Sequence, residues 1–115
     1  MRKVKYLSSL LILGVITLCI TKAQEAPIDP IKLFNEKKCN SCHSIEGMGI
    51  PKSNEKSKAP DLSNVAGHGA ELLTKYLKKE AEIDGKKHGI SWKGTETELN
   101  AMVGWLLSVK PKQSN

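Results

Sequence analysis

Arginine and aromatic side chains are what this chain has least of. Arg2 is the one arginine among 18 basic residues, and one Phe, two Tyr and two Trp are spread over 115 positions. The shortage of arginine counts against a nucleic-acid partner, whose footprint is a strongly basic and usually arginine-containing surface. No segment alternates apolar and polar residues as a half-buried strand does, and no internal repeat occurs. Cysteine is scarce as well, at positions 19, 39 and 42. A disulfide between Cys39 and Cys42 would close so short a loop that it would constrain the unfolded chain very little. A chain this small buries a limited core and leans on a cross-link, a metal or another added group. Something other than side chains is therefore expected to fill its centre.

What is present begins with Arg2, Lys3 and Lys5, followed by an almost wholly apolar, uncharged run over 6–20 and then Thr21-Lys22-Ala23. This is the order of a secretory signal peptide, so 1–23 is set apart from a domain at 24–115. The run is shorter than the roughly 17–25 residues of a membrane span. Retention of this segment as an anchor, or lipidation of Cys19, would be the ways to a membrane, although Leu18 is large for a lipobox. Four of the 18 cations lie in 1–23, which leaves 14 against 12 acidic residues, or +2, all of the 14 being lysine. The high isoelectric point thus describes the targeting segment more than any partner.

Asp29-Pro30 offers an N-cap and a first-turn proline, which predicts a helix over about 30–38 with Ile31, Phe34 and Lys38 on one face. Residues 47–59 read as a polar loop. Leu72, Leu73, Tyr76 and Leu77 predict a second helix over about 69–81, and Gly85 and Gly89 bracket a loop carrying His88. Thr95 and Glu98 form a capping box, after which Leu99, Met102, Val103, Leu106 and Leu107 recur at helical spacing up to Pro111. The expected fold is all-α, with three or more short helices and long loops.

Cys39-Asn40-Ser41-Cys42-His43 carries the chemistry. Two thiols about one turn apart can add to the two vinyl groups of one haem, and the next residue is placed to bring its imidazole onto the iron. The C-x-x-C-H pattern reads as c-type haem attachment, which takes place outside the cytoplasm and so agrees with an export signal. A thioredoxin-like redox pair would want a βαβ pattern that is lacking here. A zinc site would need another spacing for its second ligand pair and would crowd adjacent Cys42 and His43 into one shell.

From these residues the chain resembles the class I cytochromes c over about 29–110. Leu33-Phe34 is similar to the aromatic of that family's first helix, and Trp105-Leu106 to the pair on its last helix that packs across the first. Ala59-Pro60-Asp61-Leu62 resembles its Gly-Pro-x-Leu segment, with Ala59 where glycine is common. The resemblance implies one covalently bound haem held by Cys39 and Cys42, with His43 as an iron ligand. It also implies that the Pro60 carbonyl accepts the far proton of His43, fixing its tautomer and raising its basicity.

The family's usual sixth ligand is a methionine before the last helix, and no methionine stands between Met48 and Met102. His88 occupies that register, 17 residues before Trp105, and Trp92 stands where the family often has an aromatic beside the haem. Met102 sits in an apolar helical stripe, Met48 follows the haem motif closely, and His68 matches no ligand position. A sixth site left open or filled by water is the remaining alternative. Exchanging Met for His removes a potential-raising thioether, so a lowered potential is expected. Lysines 37, 38, 52, 56, 58, 86, 87 and 93 fall in segments flanking a haem edge, where a collar would steer an acidic redox partner; the alternative is ordinary solvated surface. No acid–base pair accompanies the motif, so an enzyme is not expected. The function implied is an exported, periplasmic one-electron carrier. The alternatives are an electron-transfer subunit of a larger oxidoreductase, or a five-coordinate haem protein binding small ligands.

Overall fold

The computed structural model describes residues 25–111 and 113. The expected export segment 1–23, with Cys19, lies outside the described residues. The first helix, α1 (Pro30–Glu36), is opened by the Asp29 carboxylate, which accepts from the backbone N–H of Ile31 at 2.9 Å and Lys32 at 3.2 Å. Pro30 stands where a missing N–H leaves nothing unsatisfied. The helix stops short of the expected Lys38 because Lys38 itself turns left-handed, with φ 59°. Its buried face is Leu33 and Phe34, whereas Ile31 is 44 % exposed, so the Ile31–Phe34–Lys38 face expected from spacing is not the one that packs.

The second helix, α2 (Ala70–Leu77), also ends earlier than the spacing suggests. Lys79 adopts φ 61°, its N–H reaches Tyr76 O at 3.0 Å, and Glu80 N–H reaches Lys75 O at 2.8 Å. These paired bonds are a Schellman ending built on a lysine, with no glycine to announce it. Beyond it, Asp84 and Gly85 both take positive φ in a tight turn closed between Ile83 and Lys86.

The third helix, α3 (Glu96–Ser108), begins with the expected capping box. Thr95 Oγ1 accepts from Glu98 N–H at 3.1 Å, and the Glu98 carboxylate accepts from Thr95 N–H at 3.0 Å. Lys37 adds an ion pair to the same carboxylate at 3.1 Å, tying the end of α1 to the start of α3. Thr95→Ala is expected to cost about 1 kcal/mol and to lower the melting temperature of the holoprotein by roughly 4–8 °C, as read by thermal unfolding.

Helix α3 packs against both other helices. Met102 and Leu106 join Leu33, Phe34, Ile45 and Val109 in one core cluster, while Leu99 and Val103 join Leu73 in a second. Val65 and Trp92 pack against both clusters. The Phe34 and Trp105 rings meet edge-on at 5.6 Å, locking α1 across α3. Among the described residues there is no strand, only the isolated bridges Ile45–Ile50 and Ile83–Lys86. Over the described residues the fold is all-α, three short helices joined by long loops. No helix among the described residues is long and apolar enough to cross a membrane.

Candidate haem site

The left-handed turn at Lys38 delivers the chain into a single 3-10 turn, Cys39–Ser41. Cys39 O accepts from both Cys42 N–H at 3.2 Å and His43 N–H at 2.9 Å, so the motif coils back on itself. Cys39, Cys42 and His43 thereby line one cavity of about 590 Å³. That volume falls in the range of pockets that enclose a cofactor-sized ligand. Phe34, Leu73, Leu77, Met102 and Leu106 give it apolar walls.

The loop read as merely polar straps this motif. Ser53 N–H bonds Asn40 O at 2.8 Å, Asn54 N–H bonds Ser41 O at 3.1 Å, and Ser57 Oγ bonds Cys42 O at 2.9 Å. Lys52, counted among the collar lysines, donates to Ser57 O at 2.6 Å and helps to shape the strap. Every carbonyl from Asn40 to Cys42 is thus given a partner from a loop whose composition suggested none.

His43 Nδ1 donates to the Pro60 carbonyl at 2.7 Å. A carbonyl only accepts, so the proton sits on Nδ1 and leaves Nε2 with a free lone pair. Burial pushes the His43 pKa down, with His88 nearby adding to the effect, against opposing contributions from the Pro60 bond and from Asp61. The imidazole is therefore neutral at pH 7, the form that binds metal.

Across the cavity, His88 Nδ1 lies 2.5 Å from Ile90 O, so its Nε2 is freed in the same way. The His43 and His88 ring planes are within 12° of each other and their centres are 6.0 Å apart. The chain that follows His88 is pinned at two points. Trp92 N–H bonds Leu77 O at 2.8 Å, and Lys79 Nζ reaches Gly89 O at 3.5 Å. Tyr76 meets the His88 ring edge-on at 5.3 Å.

The rival candidates are placed differently. Met102 is 1 % exposed within the α1–α3 core and also borders the cavity, whereas Met48 is 42 % exposed in the turn that follows the motif. His68 lines the cavity wall, but the imidazole aligned with His43 is that of His88. Trp92 also lines the cavity, with its indole N–H on Thr95 O at 3.3 Å and the Lys37 ammonium 5.7 Å from its ring centre. Of the collar lysines, Lys37, Lys38 and Lys93 reach the cavity, and Lys37 is engaged by Glu98.

Two contributors escaped the sequence reading. Tyr76 looked like one more apolar position of α2, and its contact with His88 bridges twelve residues. Asp61 stood inside the Pro60–Leu62 segment with no assigned part. Its carboxylate accepts from Ser44 Oγ at 2.7 Å, Glu46 N–H at 2.8 Å and Ser63 N–H at 2.9 Å. Nothing local in the sequence signals the Tyr76 contact or the bonds that Asp61 accepts from Ser44 and Glu46.

An all-α fold around an apolar cavity, with two thiols and an imidazole on one wall, defines a c-type haem protein, because these groups meet the needs of covalent attachment and ligation together. The family described as Cytochrome c matches residues 31–110, and the chain belongs to it. Its cofactor is accordingly haem c, for which Cys39 and Cys42 supply the attachment motif, and its general role is that of a haem-binding electron carrier. Comparison with curated proteins and with solved structures gave no match.

Proposed function

We propose that this chain is an exported, single-haem electron carrier of the class I type, with His43 and His88 as its two iron ligands and a potential below that of His/Met relatives. The observation that carries this reading is the imidazole pair. Two imidazoles that each bind one ion at about 2 Å have ring centres roughly 6 Å apart, and the pair here stands at 6.0 Å. Both rings give Nδ1–H to a backbone carbonyl, Pro60 O and Ile90 O, and so both keep Nε2 available. Such hydrogen bonds raise the basicity of a ligand nitrogen and hold the ring in place.

Bound haem supplies the one-electron couple of its iron. The residues of the chain set the conditions: apolar walls limit water, and two neutral imidazoles favour the oxidised ion more than a thioether would. Export is supported by the order of charge, apolar run and small residues over 1–23, since haem of this type is attached outside the cytoplasm. Lys38 and Lys93 at the cavity, with Lys86 and Lys87 exposed on the distal loop, favour an acidic redox partner.

Optical and EPR spectra of the oxidised holoprotein, with a redox titration, test the proposal. A low-spin spectrum of two nitrogen ligands and a potential beneath the His/Met range are expected. A potential inside that range, or a methionine-to-iron absorption band, would count against His88.

A further inference from the structure

Residues 43–47 and 60–63 are laced together by five hydrogen bonds. His43 Nδ1 reaches Pro60 O, Ser44 Oγ and Glu46 N–H both reach Asp61 Oδ2, Leu62 N–H reaches Ser44 O, and Gly47 N–H reaches Ser63 Oγ. The Asp61 side chain is the hub. Its Oδ1 also closes the turn onto Ser63 N–H, and the Ser63 side chain is 1 % exposed. The Pro60 carbonyl belongs to the peptide unit that joins Pro60 to Asp61. Fixing the Asp61 carboxylate by three donors therefore fixes the plane whose oxygen receives the His43 proton. Burial by itself would raise the Asp61 pKa, but the bonds from Ser63, Ser44 and Glu46 outweigh it and hold the group down to about 2. The carboxylate is thus charged throughout the working pH range.

We propose that Asp61 is a positioning residue for the proximal ligand: its carboxylate holds the Pro60 carbonyl against His43 Nδ1 and sets a fixed negative charge on that side of the haem, which lowers the reduction potential. The inference rests on His43 being an iron ligand. Two effects act with one sign. A firm Nδ1–H···O bond makes the imidazole a better donor to the oxidised ion, and a nearby negative charge favours the more positive oxidation state.

The test is the midpoint potential of the holoprotein in two matched pairs, Asp61 against Asp61→Asn and Asp61→Glu against Asp61→Gln. Each pair keeps the side-chain size and removes the charge. At a fixed poise the amide member is expected to show at least a threefold higher ratio of reduced to oxidised haem, about 28 mV for a one-electron couple, with the low-spin spectrum retained. Equal potentials within a pair would overturn the assignment. If Asp61→Asn fails to mature, the Glu/Gln pair, in which both members carry the same steric change, makes the same comparison. The wild-type EPR spectrum tests the ligand set separately. A spectrum without nitrogen-ligand signals sinks the ligation reading, whereas matched potentials in a low-spin protein sink the role of Asp61 alone.

Discussion

Replacing His88 by alanine is expected to turn the oxidised holoprotein from low spin to high spin and to tighten carbon monoxide binding to the reduced protein by on the order of 100-fold. The reasoning is one of competition. A sixth ligand held in place must leave before an exogenous one can enter, so apparent affinity falls by the fraction of molecules in which the site is open. Here that fraction should be small. The His88 ring is fixed by its Nδ1 bond to Ile90 O, by the edge of Tyr76, and by a loop anchored through Trp92 N–H to Leu77 O. A wild-type protein that binds carbon monoxide as readily as the alanine variant would show that His88 is not the competing ligand. The companion substitution, His88→Met, separates ligation from simple steric cover. It should raise the midpoint potential by on the order of 100 mV, a modest share of the roughly 0.8 V that axial ligands span, because a thioether stabilises the reduced iron. His68→Ala should leave both the spin state and the potential as they are, since the imidazole aligned with His43 is that of His88.

The sequence showed most where a signal is local and periodic. Thr95 with Glu98, the stripe from Leu99 to Leu106, and Asp29-Pro30 each sit within a turn or two of the structure they specify. The haem motif is legible for the same reason, since five consecutive residues hold both thiols and an imidazole. What stayed hidden depends on contacts across a fold. Ser57 reaches Cys42, Asp61 reaches Ser44, and Tyr76 reaches His88, over separations of 15, 17 and 12 residues and with no periodicity to mark them. Ile45 is fully buried, yet polar Ser44 and Glu46 flank it, and its burial follows from a bridge to Ile50 that has no strand pattern. The ends of α1 and α2 were overrun because Lys38 and Lys79 take the left-handed conformation that glycine usually marks. Register carried His88 to the cavity, but its alignment with His43 required the turn at Asp84-Gly85 and the anchor at Trp92, neither of which a count of residues can supply.

A chain prevented from acquiring haem, through Cys39→Ala with Cys42→Ala, is expected to lose most of its helical circular dichroism and its cooperative thermal transition. The cavity of about 590 Å³ lies where the two core clusters meet, and residues of both, among them Leu73, Met102 and Leu106, face it. Without haem the apolar wall formed by Leu73, Leu77, Met102 and Leu106 would face water, at about 25 cal/mol for each Å² left uncovered. A domain this small has roughly 5–15 kcal/mol of stability in total, so exposing that wall takes a large share of what holds the arrangement. Partial collapse reduces that cost but displaces α2, because among the helical elements α2 packs on α3 and the 65–68 turn and not on α1 or the 39–41 turn. The helices are also short, at 7, 8 and 13 residues, and helices of this length are marginal without packing. A haem-free variant that kept a cooperative transition within a few degrees of the holoprotein would show that side chains alone sustain the core. The same measurement on the single variants grades the two thioether links: each single variant, still holding haem through one thiol and His43, should melt between the holoprotein and the double variant.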